Sequence, residues 1–186
     1  MLRSKSFWCH TLLVIGVLCS LAMVLAFPEF YHHRDMSTFL KWARYWSKGW
    51  RDIYVNCDTC NYPIVGMLSS AGLLALLGDD SQKAVLTYRI LLAIIDGLNV
   101  LLIFGLFKKL LIPNAAGWAG LIGVLCSGNA LWGQIDGVSQ LFILLTLFWV
   151  VRNNLKADTP KHFWLYLLVS SILWSCALLT KQLTVF

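Results

Sequence analysis

Apolar runs of bilayer-crossing length dominate this chain and leave few folds open to it. A helix needs about 20 consecutive, mostly apolar residues to cross a hydrocarbon core. Such runs occupy 7–27, 86–107, 115–131 and 163–181, with a shorter one at 138–151. Hydrophobic residues make up 59% of the 186 residues and charged ones 13%, and the mean hydropathy is +0.70. That is far more than a soluble domain needs to fill its core. The expected fold class is therefore all-α, a polytopic transmembrane helical bundle with a large first extracytoplasmic loop containing interfacial helices.

The first run follows Arg3 and Lys5 and is longer than a cleavable signal core, so it reads as an uncleaved signal anchor. A further run at 62–77 controls the topology. It is short for a span and carries Pro63, Gly66, Ser69, Ser70 and Gly72. If it does not cross, Arg3, Lys5, Lys108, Lys109, Arg152, Lys156 and Lys161 share one side, as the positive-inside rule requires. If it does cross, that bias inverts for the short loops. The first arrangement is preferred, and it makes 28–85 one outer segment.

Within that segment Lys41, Arg44, Lys48 and Arg51 recur at helical spacing, while Phe39, Leu40, Trp42, Ala43 and Trp46 fill most of the rest. The pattern predicts an interfacial helix over about 36–48, starting at Asp35 or Ser37 and lying along the headgroups. A cap is the plainer role for Asp35.

Between the third and fourth runs stands Trp132-Gly133-Gln134-Ile135-Asp136-Gly137. With the preferred topology this turn faces outward, together with Asp35, with Arg89 at the start of the second span and with Lys181-Gln182 at the end of the last. Two acids and two cations thus gather on one membrane face, and ionisable groups against hydrocarbon mark a functional site by default. Each also has a plainer reading: Arg89 and Lys181 can snorkel to headgroups, and Asp136 can sit in a wet turn.

The order "RDMSTFLKWA", "GWRDIY", "CNYPIVG", "YRILLAIID", "LWGQIDGVSQLF", "LLTKQLTVF" resembles the amino-terminal part of the GT-C integral membrane glycosyltransferases. The likeness is to the lumenal glucosyltransferases of asparagine-glycan assembly and their prokaryotic relatives. Position 64 is Ile where that family usually has a second Pro after its Tyr-Pro, and Asp35 is followed by Met36 rather than a second acid. These departures point away from the metal-using and mannosyl branches. Members normally have many more spans, so a fragment or truncated reading frame is expected.

The resemblance implies an inverting transfer of a hexose from a polyprenyl-phosphate-linked donor to a glycan or lipid-linked acceptor hydroxyl, on the extracytoplasmic or lumenal side of a bacterial inner membrane or endoplasmic reticulum. It implies Asp35 as general base and Asp136 as a second acid at the centre. Arg89 and Lys181 are the implied donor-phosphate ligands. Gln134, Gln182 and Tyr62 would orient substrate. No cofactor or metal is implied.

Other features carry less. Cys57 and Cys60 form a C-x-x-C without thioredoxin-like surroundings, readable as a small disulfide loop or two thiols. His32-His33 with Asp35 has the composition of a metal cluster, but adjacent histidines point apart. Asp96 and Asn99 lie on one helix face, two turns or more beyond Arg89, and are expected to bond a neighbouring span. The net charge of +6 reflects membrane flanks rather than nucleic-acid binding. The competing class is a non-catalytic polytopic protein, a transporter half or lipid-binding scaffold.

Overall fold

The computed structural model describes residues 2–49, 64–78, 82–154 and 160–180. Regular structure among the described residues is helical throughout: α1 (Leu2–Ala26), α2 (His33–Lys48), α3 (64–77), α4 (Gln82–Lys109), α5 (Ala115–Leu125), α6 (Gly128–Trp132), α7 (Asp136–Asn154) and α8 (Pro160–Thr180). Among the described residues three helices are long and apolar enough to cross a membrane: Ser6–Ala26, Gln82–Lys109 and Ala115–Trp132. The third is α5 and α6 together, broken at Cys126 and Ser127. The runs expected at 138–151 and 163–181 fall on α7 and α8. Residues 181–186, with Lys181 and Gln182, lie outside the described residues, as do Tyr62, Cys57 and Cys60.

The bundle carries large apolar side chains on its outside as well as in its core, and polar groups among the buried ones. Phe7, Trp8, Leu18, Leu98, Leu121, Trp164 and Leu168 stand exposed, whereas Ser20, Arg89, Asp96, Asn99, Ser127, Ser139 and Thr146 are buried. Lipid is as apolar as leucine, so helix association in a bilayer relies on close packing and interhelical hydrogen bonds rather than on burying hydrocarbon. Both devices are present. At the α1–α5 crossing Gly16 and Gly120 meet backbone to backbone. A Cβ on Gly120 would overlap the Leu12 carbonyl, and one on Gly123 would come within 2.6 Å of the Val100 side chain and 2.9 Å of the Gly16 oxygen. Ser20 Oγ donates to Asp96 Oδ2 (2.9 Å) and stands 3.2 Å from the Ser127 carbonyl, joining α1, α4 and the α5–α6 break.

The long helices alternate in direction. Cys9, near the start of α1, stands beside Asn114, and Ala26, at its end, leads into a turn held by Arg89 near the start of α4. The Ala130 carbonyl of α6 meets the same arginine, and Ser139 near the start of α7 bonds Ala177 near the end of α8. One end of the bundle therefore holds residues 27–32, the start of α4, α6 and the start of α7. The other holds the start of α1, Lys108, Lys109 and Arg152.

Since α1 ends and α4 begins at the same end, α2 and α3 pack there. Met36, Phe39, Trp42 and Ala43 of α2 join Met67, Ala71 and Leu74 of α3 and Val85, Tyr88 and Leu92 of α4 in one buried cluster. The apolar face of α2 is thus covered by protein, while Lys41, Arg44 and Lys48 remain exposed. At 14 residues α3 is only about 21 Å long, short of the ~30 Å hydrocarbon core. Its middle turn, Leu68–Gly72, is π-helical, and the Ser70 hydroxyl bonds the Gly66 carbonyl at 2.7 Å.

Candidate functional site

Helix α2 starts one turn earlier than its charge pattern suggests. His32 has an extended backbone and is the N-cap, so Asp35 is neither the cap nor the start but a first-turn residue. The His32 Nδ1 lies 3.3 Å from the Asp35 amide and 2.9 Å from Asp35 Oδ2. With Nδ1 unprotonated the ring accepts from the amide, and with Nδ1 protonated it donates to the carboxylate; the tautomer decides. Both side chains are partly open, 44% exposed for His32 and 37% for Asp35. His33 packs at a tilt against Tyr31, with ring centroids 4.4 Å apart.

The Trp132–Gly137 turn closes over this carboxylate. Gly133 ends α6 in the left-handed region (φ +74°), its amide donating to the Ala130 carbonyl while the Gln134 amide donates to Asn129. This paired 6→1 and 5→2 closure is the Schellman motif, and its left-handed position suits glycine. A second constraint acts at Gly133, because a Cβ there would sit 2.6 Å from the Met36 side chain. The turn swings the next residue onto α2: Gln134 Nε2 donates to Asp35 Oδ2. The His32 amide also donates to the Trp132 carbonyl (3.2 Å), and Trp132 packs against Phe30. Asp136 opens α7, where a carboxylate complements the helix dipole; it is half-buried, two residues beyond Gln134.

Arg89 departs most from expectation. It is fully buried and its guanidinium is committed to backbone carbonyls: Nη1 to Pro28, Nη2 to Phe27 (3.2 Å) and Phe30 (2.8 Å), and Nε to Ala130 (3.5 Å). The Tyr31 ring lies over its Cζ, 5.5 Å from the ring centroid. A lipid phosphate reaches this arginine only by displacing those carbonyls. Its place in the structure is that of a positioning residue, clasping the 27–30 turn to α6 so that Asp35 and Gln134 face each other.

The structure thus brings Asp35, Gln134 and Asp136 to one end of the bundle and sets Arg89 beneath them. The roles expected of Tyr62, Lys181 and Gln182 lie outside the described residues. Sequence reasoning missed His32 as the partner of Asp35; the available signal was its spacing, three residues ahead on a helix start. What the basic spacing of α2 did not show is that these cations border a groove. Lys41, Arg44 and Lys48, with Ser37 and Tyr45, line an open groove of about 550 Å³.

Comparisons with protein-family models, curated proteins and solved structures found no match.

Proposed function

We propose that this chain is part of a membrane hexosyltransferase that takes its sugar from a polyprenyl-phosphate carrier, with Asp35 as the general base. The observation that carries the reading is the Gln134–Asp35 hydrogen bond, which sets a partly open carboxylate against an amide donor at one end of an apolar bundle. In the reaction, the acceptor hydroxyl oxygen bonds to the anomeric carbon as the carbon–phosphate oxygen bond breaks. The hydroxyl proton passes to Asp35, and the electron pair leaves with the lipid phosphate. Gln134 holds the carboxylate in one rotamer and leaves its second oxygen for the acceptor. Asp136 orients the acceptor.

Because Arg89 is occupied, the donor phosphate falls to the exposed cations of α2, Lys41, Arg44 and Lys48, and to Lys181. Like charges spread along one groove suit a lipid-borne phosphate at headgroup depth. The positive-inside rule then puts the Lys108, Lys109 and Arg152 end in the cytoplasm and the site on the extracytoplasmic or lumenal face. The test is sugar transfer by the full-length protein in vesicles supplied with polyprenyl-phosphate hexoses. Asp35→Asn keeps the shape and removes the base, and is expected to lose at least about 10²-fold in rate. Wild-type-like transfer by this variant removes Asp35 from the role.

A further inference from the structure

A second site lies in the flank of the bundle, away from Asp35. Helices α4, α5 and α7 enclose a cavity of about 270 Å³, which opens where Cys126 and Gln140 are exposed. Its wall is mainly branched hydrocarbon, such as Ile103 and Ile143, and its polar groups are Asp96, Asn99 and Gln140. Asp96 Oδ2 already accepts from the Ser20 hydroxyl and the Ala130 amide (3.3 Å). Asn99 is different: its Nδ2 donates to the Gly137 carbonyl at 2.9 Å, which fixes the orientation of the amide, and its Oδ1 is buried without a partner. The residue is 5% exposed. An acceptor stranded in this way costs about 1–3 kcal/mol, and in hydrocarbon no water is at hand to fill it.

We propose that this cavity binds a lipid alcohol, an uncharged apolar body whose single hydroxyl donates to Asn99 Oδ1. The chemistry of the lining selects that class. Among the described residues no cationic side chain lines the cavity, so it does not suit a lipid phosphate and is distinct from the donor groove on α2. A volume just under the usual range for small-molecule sites holds the hydroxyl end of such a ligand, and the open flank lets the remainder run out among the lipid chains. A sterol and a long-chain or polyprenyl alcohol share this chemistry. The inference does not rest on the transferase reading, and its test uses no sugar.

The full-length protein is reconstituted in phosphatidylcholine vesicles with a diazirine-bearing hexadecanol or a diazirine-bearing sterol, irradiated, and the adducts mapped. Adducts are expected on 96–103 or 140–144, and the probe that labels them tells a flexible chain from a ring system. Unlabelled alcohol of the same skeleton competes. Its methyl ether, which cannot donate, competes about five- to tenfold less well, the worth of one hydrogen bond. Ile143→Trp fills the apolar part, leaves the polar end intact, and is expected to bring labelling to background with the thermal melt retained. Asn99→Leu removes the acceptor and equalises ether and alcohol; if that variant fails to fold, Ile143→Trp alone decides. Equal competition by the ether, stronger competition by hexadecyl phosphate or hexadecylamine, labelling that survives Ile143→Trp, or adducts to a second polypeptide in place of lipid would each overturn the proposal.

Discussion

At the residue scale the charged groups divide by what faces them. Asp35 meets an amide, a ring nitrogen and open space. Arg89 donates to backbone carbonyls and lies under the Tyr31 ring, the surroundings of a positioning residue. Replacing it tests the division. Arg89→Leu removes the donor shared by the Phe27, Pro28, Phe30 and Ala130 carbonyls, and is expected to cost about 1–3 kcal/mol, read as a lower melting temperature in detergent. Arg89→Lys keeps the charge but not the planar fork that reaches several carbonyls at once, so it should also melt early. If Arg89 served chiefly to hold a donor phosphate, both variants would keep the wild-type melting temperature and lose only donor affinity. Gln134→Ala should act the other way, leaving the melt nearly unchanged because its bond lies at a partly open site, while lowering transfer about tenfold by freeing the carboxylate.

At the scale of the elements, glycine spacing decides how closely helices meet. Gly120 faces the backbone of α1, with Leu13 N 2.6 Å from where its Cβ would stand, whereas Gly117 faces the Cys9 side chain at 3.3 Å. One methyl group therefore distinguishes them. Gly120→Ala forces the α1–α5 crossing apart and should cost about 1–3 kcal/mol, while Gly117→Ala is absorbed by a small shift of the thiol. Thermal unfolding of the two variants side by side checks this, and equal melting temperatures would refute the backbone contact. Much at this scale was readable from the chain. Apolar runs marked the long helices, and the spacing of Lys41, Arg44 and Lys48 marked the basic face of α2. The N-cap was not readable, because Asp35 and Ser37 are stronger cap types than His32 and only the contact with Gln134 and Trp132 selects the earlier start. Arg89 was opaque for a related reason: its partners are main-chain carbonyls, which leave no mark on the amino-acid sequence. The break after Leu125 was also hidden, since Cys126 and Ser127 interrupt the apolar pattern hardly at all.

For the whole molecule, the decisive feature is which groups share an end. Residues 27–32 and the 132–137 turn are tied by the His32–Trp132 and Gln134–Asp35 bonds, while Lys108, Lys109 and Arg152 lie at the opposite end of α4 and α7. A cysteine placed at exposed Arg34 and another at exposed Leu110, each in a background without native cysteines, should therefore react on opposite sides of a membrane. Lys108, Lys109 and Arg152 stand in the last turns of α4 and α7, next to short connections, and Lys and Arg in short connections are retained on the cytoplasmic side. An impermeant maleimide added to sealed cells or microsomes of known orientation is expected to label the Arg34→Cys protein from the extracytoplasmic or lumenal side, and the Leu110→Cys protein only after permeabilisation. Labelling of both from the same side would mean that α4 does not cross, and the bundle would then be lying in a membrane surface or buried within a larger assembly. Labelling with the sides exchanged would preserve the fold but place Asp35 in the cytoplasm, where lipid-linked sugars displayed on the outer face could not reach it.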